Sequence, residues 1–431
     1  MRFIIKRSGA VLAALLAGII LASCNDTPTT IGSDYLPQNV EFGSYTLKPE
    51  DFEIVSGIAA TSNSSAQSAL GLLLGEAADG TMAHGLMAIT SESPVVSGPA
   101  AKPVTAASLV LYTLPYRYGD TNANVTSFDV VVLDEVFPFD ARWNDGLVAK
   151  ITGAPSLGTF TGAYPKSDDD SVQVQLDPAA TQQFLQQYFR YDTTATGREF
   201  RTLKSLALRA RSGGNIVGGY FGVLGVHDSL RPTLRVVTAD TTVNLRAGST
   251  NWIAQGNMET GTGRIAVMAG VPVRTFIKVK LDSIPLEATI HQAELRLFVD
   301  ESGTRHGTFG QSTSLIAYIG TDSSLNQRSY LTSGISGIVP MSRTALDSNA
   351  FTNMFRFTAL APTISAWLRH KRGMGSVANN GLILSYYRGA NRPDLETTTV
   401  DRVKFHGFDA ADPALRPSLT ITYSIQVDAN K

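Results

Sequence analysis

Leu230-Arg231-Pro232-Thr233-Leu234-Arg235-Val236 returns, 185 positions later, as Leu415-Arg416-Pro417-Ser418-Leu419-Thr420-Ile421. Each copy is a Leu-Arg-Pro lead-in followed by alternating apolar and polar residues, the period of a strand with one buried face. A second pair of strands agrees. Ala106-Ala107-Ser108-Leu109-Val110-Leu111-Tyr112 corresponds to Gln292-Ala293-Glu294-Leu295-Arg296-Leu297-Phe298, with Ala107 and Ala293 separated by 186 positions. Separate landmarks at one offset, to within a residue, indicate a tandem duplication of a single β-domain. A pair of copies makes domains in series rather than a solenoid.

The halves correspond between these landmarks as well. Asp177-Pro178 followed by Phe184, Leu185, Tyr188 and Phe189 supplies an N-cap, a proline at the first helical position and an apolar stripe at helical spacing. Its counterpart runs from Thr358 and Leu360 through Ile364, Trp367 and Leu368, so each half is predicted to hold one short helix. A strand follows each helix, Leu206-Ala207-Leu208-Arg209 in the first half and Gly381-Leu382-Ile383-Leu384 in the second. The second copy is then longer around residues 389–399, a polar loop containing Pro393; divergence of a binding loop and neutral growth both account for it. Upstream, residues 44–98 alternate apolar and polar positions between Gly- and Ser-rich breaks, which reads as strands and turns.

Composition points the same way. Lys+Arg number 36 against 37 Asp+Glu, and charged residues are only 17% of the chain, so no basic field exists to hold nucleic acid. Low charge with 38 glycines and no recurrent heptads suggests an all-β exported protein. The N-terminus carries the export layout: Arg2, Lys6 and Arg7 precede an apolar run over residues 10–22 that ends in small residues and is too short for a comfortable membrane span. The only cysteine, Cys24, follows Leu21-Ala22-Ser23 at the end of that run. An uncleaved anchor helix with an incidental cysteine is the alternative reading. Residues 25–43 are polar and turn-rich, and fit either a tether or an irregular arm docked through Ile31, Tyr35 and Leu36.

Leu21-Ala22-Ser23-Cys24 resembles the lipobox of bacterial lipoproteins. The resemblance implies cleavage before Cys24, a diacylglyceryl thioether on its sulfur, and hence a mature chain without a free thiol for catalysis, disulfides or metal binding. It also places the protein at the outer membrane, held to the lipid bilayer by that anchor. The head Ile31-Gly32-Ser33-Asp34-Tyr35-Leu36-Pro37 is similar to that of a family of uncharacterised lipoproteins from gram-negative bacteria. Residues 243–424 resemble the DNRLRE-type, disaggregatase-related module, a jelly-roll β-sandwich of bacterial surface and polysaccharide-associated proteins. Arg274 to Val279, Ile284-Pro285, Ile290 to Leu297, the helix around Trp367, Asn379-Asn380-Gly381-Leu382 and Arg416 to Tyr423 carry that likeness. The expectation is therefore a signal peptide at 1–23, a tether at 24–43, and two tandem jelly-roll-like antiparallel β-sandwiches at 44–240 and 241–428, each with one short helix.

Catalytic patterns are missing from the sequence. The histidines at 84, 227, 291, 306, 370 and 406 form no His-Glu-x-x-His pair, no serine lies in a Gly-x-Ser-x-Gly elbow, and no phosphate-binding glycine loop is present. Asp168-Asp169-Asp170 fits a solvated turn better than a calcium loop, whose ligands alternate. Asp134 and Glu135, or Asp300 and Glu301, are equally weak candidates for metal or acid-base roles. No enzyme, cofactor or metal is expected. Aromatic residues are the better candidates, since sugar rings stack on them. Tyr116 and Tyr118 flank Arg117, and Tyr387-Arg388 precedes the enlarged loop, with Tyr386 and Tyr387 facing opposite sides of a strand. As exposed residues, Tyr116, Tyr118, Tyr387 and Arg388 would form a ligand surface; as packed ones, they would be core and edge aromatics. Trp143 and Trp367 recur at module landmarks and are expected in the core. The sequence thus predicts a non-enzymatic envelope protein that binds polysaccharide or another envelope component, or else serves as a structural or assembly lipoprotein; a hydrolase whose triad is assembled from distant loops is the third and most distant reading.

Overall fold

The computed structural model describes residues 40–427, apart from 60–70, 90–92, 98–100, 121, 123, 139–140, 142, 166–169, 193–198, 203, 224–226, 309–313, 321–324, 326–337, 345–353 and 388–398. The chain is all-β, built as two antiparallel sandwiches with few short helices. Alternation in the sequence becomes alternation in space. In Ser171–Leu176, Val172, Val174 and Leu176 face the core while Ser171, Gln173 and Gln175 face water.

The repeated landmarks are hydrogen-bonded neighbours in both copies. Leu234 lies opposite Leu109 and Val236 opposite Ala107; in the second copy Leu419 lies opposite Leu295 and Ile421 opposite Ala293. Register is conserved between copies because a slip of one residue would turn every apolar side chain to the wrong face. Each copy also leads into its strand through a short 3-10 turn, Asp228–Leu230 or Pro413–Leu415, just before the Arg-Pro pair.

The strands that close the sandwiches depart from the expected boundaries. Thr242–Gln255, assigned from sequence to the second domain, completes the first. Its early part pairs with Thr233–Thr238 and, past a bulge, its later part pairs with Met82–Ile89, so one strand bends from one sheet into the other. Residues 40–58, assigned to the tether and the first domain, complete the second sandwich instead. Val40–Thr46 pairs along its length with Ser418–Gln426, and after a 3-10 turn Phe52–Ile58 pairs with Val273–Val279. The equivalence is close. Leu47 donates its N–H to Leu419 O and is buried, as Leu245 is buried opposite Leu234. Each half's leading strand therefore closes the other half's sandwich, and residues 71–255 sit as an insertion within a sandwich made of 40–58 and 261–426.

Each sandwich has its own core. Leu109, Phe128, Val174, Leu185, Leu208 and Leu234 belong to the first, and Ile277, Leu295, Phe357, Trp367, Leu384 and Ile421 to the second. The helices Pro178–Tyr188 and Ala361–Lys371 lie where their sequence signals put them. Asp177 Oδ1 accepts from Ala180 N at 2.7 Å, and Phe184, Leu185 and Tyr188 pack inward. In the second copy Ile364, Trp367 and Leu368 are buried, and Arg369, His370 and Lys371 fall in the last turn, where cations suit the helix dipole. One short helix per half is too few for the first half. Asp145–Gly153 is a further helix, capped by Asn144 Oδ1 on Leu147 N at 2.9 Å, with a four-residue turn of helix at Pro94–Ser97. Only Leu147 and Ile151 of Asp145–Gly153 are buried, and its terminal positions are or adjoin glycine, which explains its weak periodic signal.

Candidate functional site

Tyr116 and Tyr118 stand near the end of the long strand Val104–Gly119, two residues apart and so on one face. The strand carries them beyond its pairing with Ser171–Leu176 to where it pairs with Ile216–Phe221, at the junction of the sandwiches. They are not exposed. Each is 1% accessible, within an apolar cluster that joins Leu73, Val217 and Trp252 of the first sandwich to Met268, Val271, Val273 and Val400 of the second. The expectation of a ligand surface at these residues is corrected: the second sandwich covers them.

Their hydroxyls have committed partners. Tyr116 Oη donates to Asp401 Oδ1 at 2.7 Å and accepts from Val400 N at 2.9 Å, while Gly307 N also donates to Asp401 Oδ1 at 2.8 Å. Tyr118 Oη donates to Asp79 Oδ2 at 2.7 Å. Burial first, then the neighbouring carboxylate, pushes the Tyr116 phenol well above its ordinary range, so it is a neutral donor. Burial would raise Asp79, but hydrogen bonds from Thr81 and Tyr118, with Arg402 nearby, hold its carboxyl below the usual range. Arg402 Nη2 lies 3.3 Å from Asp79 Oδ2, and its other nitrogens donate to Gly303 O and Asn257 O. Thr308 bonds across the junction: its N–H donates to Arg117 O at 2.8 Å, its Oγ1 accepts from Arg117 N at 2.9 Å, and its hydroxyl donates to Pro115 O. Gly307 packs so closely that a Cβ there would lie 2.4 Å from the Tyr116 ring. Sequence reasoning missed Asp79, Asp401 and Arg402. For Asp401 and Arg402 the available signal was an adjacent charged pair set between Val400 and Val403, a pattern of buried and partnered charge; Asp79 had none.

Tyr387 ends the strand Leu382–Tyr387 opposite Ser314, with Tyr386 buried against the second core. Arg388, the enlarged loop over 389–398, Asp168, Asp169 and Cys24 lie outside the described residues. Trp367 is buried as expected, whereas Trp143 is half-buried. Trp143 stacks on His84 at 5.0 Å and borders a satellite core beneath the helix Asp145–Gly153. His84 Nδ1 accepts from Ala210 N at 3.0 Å, and burial, then Arg209, lowers its pKa to about 4. Beside it Asp129 receives Arg209, Arg211 and the Thr159 hydroxyl. Arg209 also donates to Ile151 O and Ala154 O at the end of that helix, where a cation is favoured. Asp129 bridges the two guanidinium groups, and Arg209 braces the helix end.

The weak acid-base candidates are also engaged. Asp134 pairs with Lys204 at 2.8 Å and Glu135 with Lys150 at 2.7 Å; Asp134, Glu135 and Lys150 line a cleft of about 440 Å³ together with Val132, Leu133 and Pro155. Asp300 receives Ser302 N at 3.0 Å and lies 3.4 Å from Lys404. Glu294, almost buried, is clasped by Arg296 and Arg356, whose hydrogen bonds outweigh burial and keep its carboxyl below the usual range. Among the described residues no group of three or more His, Cys, Asp or Glu converges as a metal site would require. No helix there is long and apolar enough to cross a membrane.

No protein-family model matches the chain, and no curated protein matches it. Among solved structures, the infectious bursal disease virus VP2 subviral particle is 11% identical over 93% of this chain and 83% of that one, with a TM-score of 0.10. A score that low carries nothing about fold or activity.

Proposed function

We propose that the protein is a non-enzymatic, lipid-anchored component of the bacterial cell envelope, held at the outer membrane through Cys24 and acting as a structural or assembly element for another envelope component. The observation that favours this reading is the coupling of the sandwiches. Exchanged leading strands and a buried Tyr116–Asp401 junction make a body suited to holding surfaces at a fixed spacing. Polysaccharide capture is the competing reading, and it now rests on Tyr387 and Arg388 alone. Both readings share the anchor, and its test is direct. Cys24→Ser is expected to leave an uncut, unlipidated precursor, seen as a heavier band that does not partition into detergent. Normal maturation of that variant would refute the anchor. Co-purification of the wild type with envelope proteins, without binding on a glycan array, is the expected outcome of the assembly reading; glycan binding lost on Tyr387→Ala and Arg388→Ala would replace it with capture.

A further inference from the structure

The exchange of leading strands places the anchor. Val40, the first described residue, lies opposite Gln426, so both ends of the described chain emerge side by side at one end of the second sandwich. Fifteen residues lie between Cys24 and Val40, a link of sixteen steps that spans at most about 58 Å whatever its conformation. Had the sequence-derived boundaries held, the first sandwich would have been the one next to the lipid. The topology assigns that position to the second, with the first reached only through it.

The surface at this exit has the chemistry of an interfacial contact. Phe42, two residues inside the exit, is 58% exposed, and Val427, one residue past the paired strand, is 44% exposed. Among the described residues the other large apolar side chains this open, Ile58, Val136 and Met374, lie singly on other elements. Phe42 sits on the outer face of its sheet beside Ser44, Ser424 and the His291 ring, whose centroid is 5.8 Å away; alternation puts Glu41 and Ile425 on the other face, the side that Val427 continues, so the two exposed apolar residues flank one end of this strand pair from its two faces. Among the described residues Val40–Thr46 has a strand partner on one side only, so its outer edge is open. An aromatic ring and an aliphatic side chain with polar neighbours, a short link from an acyl anchor, match the boundary between lipid headgroups and acyl chains.

We infer that the end of the second sandwich formed by Val40–Thr46 and Ser418–Gln426 rests on the lipid bilayer, with Phe42 and Val427 seated in its interface and the first sandwich displayed away from it. The inference rests on the lipid anchor at Cys24, and the experiment separates the two. The lipidated protein is incorporated into phosphatidylglycerol–phosphatidylethanolamine vesicles. An environment-sensitive dye is attached through Phe42→Cys, Val427→Cys or, in the first sandwich, Gln173→Cys, each the sole free thiol of its chain. Blue-shifted emission at 42 and 427 that is lost with brominated lipid, with neither effect at 173, is the expected result. Protein bound to vesicles but showing the same unquenched emission at all sites overturns the inference while leaving the anchor intact. Vesicle-bound Phe42→Cys protein that forms a disulfide between copies and shows no lipid quenching overturns it in favour of edge-to-edge pairing of this chain. Failure of the wild type to float with vesicles removes the anchor, and the inference with it.

Discussion

At the scale of single residues, the carboxylates Asp79, Asp129, Glu294 and Asp401 are partnered where they leave water, and His84 is buried neutral. His84 illustrates the neutral case, since burial depresses its pKa to about 4 from an ordinary 6.5. The unfolded chain therefore takes up a proton as pH falls through 6.5, while the folded chain resists until about 4. Stability is full above 6.5 and is lost across that window, by about 3 kcal/mol in all. Asn in its place keeps an acceptor for Ala210 N without a titrating ring. We expect His84→Asn to flatten the fall in urea-derived stability between pH 6.5 and 4, and an unchanged slope would assign that loss elsewhere. The lowered carboxyls of Asp129 and Glu294 act in the same direction but further into acid, because their stabilisation persists until pH drops below the ordinary carboxylate range.

At the scale of elements, the decisive feature is which strand closes which sandwich. Residues 71–255 contain every described strand of the first sandwich, whereas 241–431, which spans the second module as its sequence delimits it at 241–428, lacks Val40–Thr46 and Phe52–Ile58. Without them the backbone edges of Ser418–Gln426 and Val273–Val279 lose their partners, and the sites of Leu47 and Ile54 in the core stand empty. Each lost aliphatic side chain costs about 1.5–3 kcal/mol of burial before any backbone pairing is counted. The expected outcome is that 71–255 folds alone with reduced stability, whereas 241–431 stays unfolded by circular dichroism until a peptide of residues 40–58 is added. Independent folding of 241–431 at full stability would contradict the exchange. The two principal helices, by contrast, were legible from local signals alone, because a proline in the first turn and an apolar stripe, joined in the first helix by the Asp177 cap, act within a few residues of one another. Asp145–Gly153 was not, since its stability comes from the satellite core over Val131 and Ala207 rather than from its own pattern.

At the scale of the whole molecule, the junction decides whether the sandwiches behave as one body. Gly307 is its tightest point, where a Cβ would meet the Tyr116 ring at 2.4 Å and Arg117 O at 2.8 Å. A methyl group there cannot be absorbed by moving a flexible side chain, because one obstacle is backbone and the other a ring held by Asp401 and Val400. Gly307→Ala is expected to cost about 1–3 kcal/mol by overpacking, to lower the melting temperature, and to increase the radius of gyration in small-angle scattering as the sandwiches separate. Wild-type dimensions and stability in this variant would show that the contact is not a constraint. Tyr116 and Tyr118 belong to the same lesson: alternation placed them on one face, but nothing local could tell a face covered by a second sandwich from one open to ligand.

The sequence by itself determined what depends on neighbours along the chain: the strand period, the duplication with its common register, and the two principal helices. Tertiary structure decided the partner of each leading strand and the fate of the junction aromatics. The physical reason is that backbone pairing is generic. A duplicated chain holds equivalent slots, and alternation specifies the side of a sheet a residue faces without naming the strand beside it or the surface above it.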